Sequence, residues 1–236
     1  MAPAGRKPTT PSPLSEAADV CISQGFWIDR GEVTYEMFLR FVDAGGYQKQ
    51  DYWTERGWAW LQENQGAINT KLAGFRKLYG RMPAVLLSWY EASAYAHWRG
   101  GRLPTFEEWQ YAAGGGSPGR RVTQAYPWGP EFNEFKANMG GKRQGADSTG
   151  STFDAQGGFM NLYDIIGNVA EWTTAANDIG DRRGPLASDK RLAAGGHWAS
   201  PKETTVATPQ EFTVTTSDSH IGLRVIVPLG NSTPCS

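Results

Sequence analysis

The stretch GGFMNLYDIIGNVAEW, residues 157–172, is the part of this sequence that decides the fold. It has neither helical nor strand periodicity, and it combines Gly, Asn and Trp with two carboxylates, a composition typical of a tightly turned loop. Two phrases of the same kind flank it: RLPTFEEWQYAA, residues 102–113, and AAGGHW, residues 193–198. We therefore expect loops rather than long regular elements to build the centre of the structure.

Composition places the chain among single-domain globular proteins. It has 236 residues, 39% of them hydrophobic, with ten Trp and 29 Gly, which indicates many ordered loops held by large rings. The formal net charge is −1 and no block of Lys or Arg stands out, so we expect no nucleic-acid partner. The longest apolar runs are far shorter than the roughly 20 residues of a membrane span, so no membrane insertion is expected.

The ends of the sequence differ from its centre. We expect a flexible Pro/Ser/Thr-rich arm over residues 1–19, a domain over 20–229 and a tail over 230–236. The arm has no apolar core and is not a signal peptide, so the expected location is cytoplasmic or virion-associated. Cys21 and Cys235 lie near opposite ends. They either form a disulfide that ties the termini or are two unrelated thiols of a cytosolic protein.

Regular elements are expected on both sides of the central phrases. Residues 20–30 indicate a strand, an extended segment follows Pro83, and residues 220–229 indicate a closing buried strand. The loop over 114–158 should be anchored by aromatic rings. The residues that carry these element predictions are the helix cap Thr34 with inward Phe38, Phe41 and Val42, the face of Trp58 and Leu61, the capping boxes Ser88/Glu91 and Thr105/Glu108, and the anchors Tyr126, Trp128 and Phe153.

In order and spacing, these phrases resemble the formylglycine-generating-enzyme (sulfatase-modifying factor) domain family. The resemblance extends from about residue 25 to residue 227. It implies an α+β, loop-rich fold of the C-type lectin-like type with few regular elements. Because that fold carries several unrelated activities, the resemblance alone does not give the function.

The resemblance also implies where catalytic residues would lie. Catalytic members use two cysteines, five residues apart, shortly after the Gly-Gly of the third phrase. Ser200 and Thr205 stand at those positions here. Hydroxyls at their ordinary pKa do not replace a thiolate pair as ligands of a soft copper ion. We therefore expect no formylglycine generation and assign no catalytic residue.

Two more local resemblances point in different directions. GGYQKQDYWTERGWAWLQ, residues 45–62, and GGHWASP, residues 195–201, resemble the C-terminal half of ergothioneine-biosynthesis sulfoxide synthases. Those enzymes hold iron with three histidines of a separate helical domain, so this interpretation requires a partner subunit. The segment over 200–220 corresponds to the region that retroelement-diversified variable proteins of the same fold randomise.

Two sets of residues are candidate metal ligands. Asp164, Gly167, Val169 and Glu171 match calcium-binding positions of the catalytic members, with Asn138 matching part of a second site. The alternative is that Asp164 and Glu171 hold the turn without metal, by accepting N–H bonds. His197 and His220 could converge to bind a transition metal, with Glu211 or Asp218 completing a facial triad. The remaining histidine, His97, is expected to pack on a helix.

The segment SPKETTVATPQEFTVTTSDSH, residues 200–220, is rich in Ser and Thr and poor in large apolar residues. We interpret it as a ligand-contacting surface, the alternative being a polar edge hairpin. The expected contact residues are Trp198, Ser200, Thr204, Thr205, Thr208, Gln210, Phe212, Thr213 and Thr215, with the cluster of Trp53, Trp58 and Trp60 as further aromatic anchors.

These observations favour a non-catalytic ligand-binding or display module whose partner is a protein, small molecule or glycan. An oxygen-dependent enzyme, or the substrate-binding half of one, is the first alternative. A structural subunit of a virion or surface assembly is the second.

Overall fold

The computed structural model of the chain describes residues 24–77, 80–114, 124–150, 162–174 and 189–232. The expected arm, the C-terminal residues from 233 onward, both cysteines and Phe153 lie outside these ranges. The helices are α1 (Tyr35–Asp43), α2 (Glu55–Glu63), α3 (Gln65–Phe75), α4 (Trp89–Trp98) and α5 (Phe106–Gly114). The strands are β1 (Gln24–Ile28), β2 (Ala170–Trp172), β3 (Lys190–Ala194), β4 (Gln210–Thr213), β5 (Ile221–Gly222) and β6 (Ile226–Ser232).

The strands form two small sheets. β1 and β6 make an antiparallel ribbon, with Trp27 opposite Val227 and Gln24 opposite Ser232. The other four strands lie in the order β4-β3-β2-β5, antiparallel except for the parallel pair β2 and β5. Residues 220–229 thus form two strands in different sheets, rather than the single closing strand expected from sequence. The intervening Leu223–Val225 are buried, and the chain becomes partly exposed only from Val227 onward.

Side-chain caps set the starts of the helices as the sequence predicted. Thr34 accepts a hydrogen bond from Met37 N at the start of α1. Ser88 and Glu91 form a complete capping box at the start of α4. At α5, Glu108 N donates to the Thr105 hydroxyl while Thr105 N donates to the Glu108 carboxylate. Each cap satisfies backbone donors that a helix start leaves without partners.

Two local predictions from sequence were incomplete. Helix α3 was not predicted, although Ile68, Leu72 and Phe75 are buried at i, i+4 and i+7. Pro83 itself makes an isolated bridge to Thr34, and residues 84–88 form no strand. The chain cannot extend further because Leu86 has a φ of 61°, in the left-handed region.

Aromatic rings dominate the larger core, which α1 and α4 share with β2 and β5. Phe38 stacks on Tyr95 with ring centroids 5.5 Å apart, and Phe41 packs against Tyr47 and Trp98. Trp53 is buried and donates its indole N–H to Gly46 O. Trp58 and Trp60 pack against the same core. The three tryptophans therefore stabilise the helical side of the domain, and the expectation that they serve as ligand anchors receives no support from their position.

A buried ion pair joins the sheet to the helices. Arg224, which lies between β5 and β6, donates to both carboxylate oxygens of Glu171 on β2 over 2.7–3.1 Å. Both side chains are at most 1% exposed. Trp109 of α5 donates its indole N–H to the same carboxylate at 2.8 Å. The remaining guanidinium donors reach the carbonyl oxygens of Asp29 and Tyr163. The pair is thus fully hydrogen-bonded, the condition under which a buried charge pair is tolerated.

Two more buried carboxyl groups lie next to this pair. Glu32 accepts hydrogen bonds from Val169 N, the Asn168 side chain and the Thr149 hydroxyl. Burial, and then the negative charges of Asp164 and Glu171, raise the pKa of Glu32 well above its usual range. Burial likewise raises the pKa of Asp164 to about 6. The centre of the fold therefore contains three carboxyl groups, those of Glu32, Asp164 and Glu171, around the cation of Arg224. Burial favours the protonated forms of Glu32 and Asp164.

Replacing Glu171 with Ala should destabilise the fold by about 3–5 kcal/mol, because it leaves Arg224 buried and unpaired. Chemical denaturation, with and without added calcium, measures this loss. Glu211→Ala is the matched control, since Glu211 forms an exposed pair with Lys190 and should cost less than about 1 kcal/mol. Equal, small losses for the two variants would contradict a central role for the pair.

The raised pKa of Asp164 predicts a pH dependence of stability. A carboxyl group whose pKa is raised by folding stabilises the fold when protonated, and this contribution is lost as pH rises through about 6. The unfolding free energy of Asp164→Asn, relative to that of the wild-type chain, should therefore rise by about 2 kcal/mol between pH 4 and pH 8. Thermal melts across that range measure the gain. Asp51→Asn, at an exposed position, is the control. Parallel curves for wild type and Asp164→Asn would refute the assignment.

Candidate functional site

The turn over 164–169 positions the candidate site. Asp164, Gly167 and Asn168 all have positive φ, at 53°, 81° and 59°, so this segment folds back tightly on itself. Only glycine fits at 167, because a Cβ there would lie 2.5 Å from Asn138 O. Trp198 N donates to Asn168 O, and Ala170 N donates to His220 O. The turn therefore holds both chain segments that carry the candidate histidines.

His197 and His220 lie side by side, as the sequence interpretation anticipated. Their ring centroids are 4.4 Å apart at an interplanar angle of 50°. Trp198 covers His220 in turn, with centroids 5.3 Å apart and a tilt of 31°. All three side chains are half-buried. We call this row of three rings the histidine–tryptophan stack.

The inner nitrogen of each imidazole is already hydrogen-bonded. His220 Nδ1 lies 2.7 Å from Asp218 Oδ1. Burial raises the pKa of Asp218, but the hydrogen bonds from His220 outweigh burial, so the pKa is lowered overall. His197 Nδ1 accepts a hydrogen bond from Ala199 N at 3.3 Å. Burial, and then the neighbouring His220, lower the pKa of His197. The hydrogen bonds of both rings therefore use Nδ1, which leaves the two Nε2 atoms for further contacts.

A facial triad is not assembled at this pair. Asp218 contacts the Nδ1 edge of His220, so its Oδ1 cannot bind an ion held at Nε2. Glu211, the other candidate, pairs with Lys190 on the outer strands instead. Within the ranges that the structure describes, no group of three or more His, Cys, Asp or Glu side chains has a metal-binding arrangement. The pairing of the two histidines was anticipated correctly, and the third ligand was not.

The side chains at the calcium-type positions take part in hydrogen bonds within the protein. Both Glu171 oxygens already accept bonds from Arg224, so a calcium ion would have to compete with a buried guanidinium. Asp164 accepts a hydrogen bond from Gly150 N at 2.6 Å. Asn138, the candidate for a second calcium site, donates its side-chain amide to Gly145 O and to Asn168 Oδ1. Asp164 is thus bonded to a backbone N–H and Glu171 to side-chain donors, and calcium binding at these positions stays a prediction.

The expected contact segment, residues 200–220, divides into anchored and exposed positions. Val206 and Val214 are buried and bonded through their backbone N–H groups to Ala125 O and Asp189 O. Around these anchors, Thr208, Thr213 and Thr215 are exposed, and Thr205 and Gln210 are half-buried. We call the set Thr205, Thr208, Gln210, Thr213 and Thr215 the threonine surface.

Three of the expected contact residues face inward. Ser200 and Thr204 are 1% and 4% exposed. The Ser200 hydroxyl accepts a hydrogen bond from His197 N, and Thr204 packs close to Gly196. The expectation that their hydroxyls lie at the surface is therefore wrong. Phe212 is half-buried and packs edge-on against Trp172, with centroids 5.9 Å apart. No pattern in the sequence indicates these orientations, because apolar and polar residues do not alternate regularly along the segment.

A cleft of about 300 Å³ opens beside the start of this segment. It was not anticipated from sequence. Its lining combines apolar and charged side chains, which are Phe132, Met139, Lys142, Pro201, Lys202 and Glu203. Gly140 N and Gly141 N donate to Ser200 O and Trp198 O, so the cleft and the histidine–tryptophan stack share one wall.

No helix in the described part of the chain is long and apolar enough to cross a membrane.

Comparison with known proteins places the chain in a family. A model of the sulfatase-modifying factor enzyme 1-like domain matches residues 5–229. The serine/threonine-protein kinase Pkn1 of Chlamydia trachomatis is 31% identical over 76% of this chain and 29% of its own length. The hercynine oxygenase of Mycolicibacterium smegmatis is 30% identical over 74% of this chain and 46% of its own. The chain thus spans less than half the length of these relatives.

Further relatives include one named as inactive. The inactive Cα-formylglycine-generating enzyme 2 of Mus musculus is 39% identical over 50% of this chain and 38% of its own length. Among solved structures, CarF superposes with a TM-score of 0.54 over 86% of both chains at 20% identity. A variable protein of Treponema denticola overlaps less, with a TM-score of 0.40, 26% identity and coverage of 53% and 46%.

These findings confirm the fold expected from the three sequence phrases: an α+β, loop-rich fold of the formylglycine-generating-enzyme and C-type lectin-like type. The chain belongs to the family of sulfatase-modifying factor enzyme 1-like domains.

Proposed function

We propose that the chain is a non-catalytic ligand-binding module that presents the threonine surface, together with Trp198, to a protein, small-molecule or glycan partner. The observation that carries the proposal is the division of residues 200–220 into buried anchors and exposed polar side chains. Val206 and Val214 fix the backbone, while hydroxyl-bearing side chains between them face outward. Such hydroxyls donate and accept hydrogen bonds and adapt to different ligands.

Two further features support binding over catalysis. Ser200 and Thr205 stand where catalytic relatives have their cysteine pair. Ser200 is buried and its oxygen accepts His197 N, while Thr205 shares a hydrogen bond with Thr208. Neither position supplies a thiolate, and the relatives of this chain include proteins named as inactive formylglycine-generating enzymes.

The threonine surface should tolerate substitution without loss of the fold. Replacing Thr205, Thr208, Thr213 and Thr215 together with other polar residues should lower the unfolding free energy by less than about 1 kcal/mol, because surface positions rarely contribute more. Ser200→Lys and Thr204→Lys are the buried controls, and each should lose several kcal/mol through desolvation of the new charge. Loss of cooperative melting in the four-site variant would contradict the proposal.

Peptide and glycan arrays probed with the labelled full chain test the binding itself. We expect signals that disappear in a Thr205→Lys/Thr208→Lys/Thr213→Lys variant. The signals should persist in a control variant in which three exposed residues of α2 and α3 are changed to lysine. Signals that are equal in all variants, or no signal above background, would contradict the threonine surface as the contact region.

A second candidate is the substrate-binding half of an oxygen-dependent enzyme whose metal comes from a partner subunit. The observation that favours it is the 30% identity to hercynine oxygenase, of which the chain covers 46%. Calorimetric titration of the chain with hercynine separates the two candidates, because substrate binding does not require the metal of the partner subunit. The binding-module proposal expects no hercynine binding at the former catalytic side of the fold, and saturable binding that persists in the Thr205→Lys/Thr208→Lys/Thr213→Lys variant would favour the second candidate.

A further inference from the structure

The histidine–tryptophan stack has features that ligand display does not use. Among the residues that the structure describes, neither Nε2 atom of His197 or His220 makes a hydrogen bond, and neither is an enclosed polar atom. Both Nε2 atoms therefore reach solvent. They lie on neighbouring rings that are held from behind by backbone and carboxylate contacts.

We propose that His197 and His220 together bind one divalent transition-metal ion through their Nε2 atoms, with the remaining coordination positions open to water or to a bound ligand. This site lies beyond the proposed display function, because the threonine surface needs no metal.

The spacing of the rings suits a shared ion. An imidazole bound at about 2.0–2.1 Å places its ring centroid about 3.2 Å from the metal, so two such rings at a bond angle near 90° have centroids about 4.5 Å apart. The observed separation is 4.4 Å. The two rings thus stand at the separation of neighbouring ligands in a square or octahedral site.

The surroundings of His220 match those of a metal ligand. A metal-bound imidazole commonly donates its other N–H to a carboxylate, which fixes the ring and makes the bound nitrogen more basic. Asp218 Oδ1 takes this role at 2.7 Å. The His220 backbone is fixed as well, since His220 N donates to Asp218 and Ala170 N donates to His220 O. Asp218 is therefore a positioning residue of the proposed site, not a ligand.

Metal binding by His197 disrupts a hydrogen bond that its ring makes in the free protein. Binding at Nε2 moves the ring proton to Nδ1 and breaks the hydrogen bond from Ala199 N, which is long at 3.3 Å. The site should therefore be weaker than one with three or four protein ligands.

The two imidazoles also indicate which ions bind best. Imidazole suits copper, zinc, nickel and iron, and affinity among divalent ions of this row peaks at Cu²⁺. We expect the order Cu²⁺ tighter than Ni²⁺ and Zn²⁺. With two protein ligands, open positions remain on the ion, so an incoming ligand with a nitrogen or oxygen donor could bind it directly beside Trp198.

Titration of the full chain with Cu²⁺ and Zn²⁺ near neutral pH, followed by calorimetry, tests the proposal. We expect one ion per chain, with electron paramagnetic resonance of the Cu²⁺ form showing two nitrogen ligands. His197→Ala and His220→Ala should each weaken Cu²⁺ binding by more than about tenfold, and Asp218→Asn by about tenfold. His97→Ala, a change of a histidine on α4, should have no effect.

Two controls make the test decisive. Repeating the titration in a Cys21→Ser/Cys235→Ser chain removes the thiols as alternative ligands. If a histidine variant does not fold, selective broadening of the His197 and His220 imidazole resonances by Cu²⁺ in the wild-type chain answers the same question. Absence of binding, or affinity that is unchanged in both histidine variants, would overturn the metal site and leave the display proposal untouched.

Discussion

The pair of Arg224 and Glu171 is the interaction on which the rest of the domain depends. A loop-rich fold has few helices and strands that pack against one another. Here the directional hydrogen bonds of a buried ion pair hold the loops in place instead. It joins β2 to the chain between β5 and β6, takes a third contact from Trp109 of α5, and reaches two carbonyl oxygens of other loops. A single guanidinium thus sets the relative positions of four chain segments.

The same centre determines the geometry of the outer surface. Asn168 follows Gly167 in the left-handed turn beside Glu32, and its carbonyl oxygen holds Trp198. Ala170, one residue before Glu171, holds His220. The histidine–tryptophan stack is therefore connected to the buried carboxyl groups through the backbone of one short turn. Because the buried hydrogen bonds fix the turn, they also fix the positions of the three rings at the surface, as a preorganised site requires.

Much of the fold was predictable because its signals are local. The caps at Thr34, Ser88 and Thr105 lie next to the helices that they begin, and the Gly- and Asn-containing part of the central phrase forms the tight turn over 164–169. The phrase over 102–113 is mostly helix α5 and not the loop that its composition indicated. Helix α3 was missed although Ile68, Leu72 and Phe75 have helical spacing, because Gly66 and Gly74 weaken that signal. The candidate site was harder to predict. Arg224 contacts a carboxylate 53 residues away, and only the folded chain shows that Ser200 faces inward while Thr208 faces solvent.

The β1–β6 ribbon has a consequence for how such a domain is combined with others. Gln24 and Ser232 are register partners, so the chain enters and leaves the domain at one place. A domain whose two ends are adjacent can be inserted into a loop of another protein without forcing the two ends of that loop apart. Adjacent ends also allow circular permutation. Segments joined to β1 and to β6 are therefore attached to the domain at neighbouring points of one ribbon.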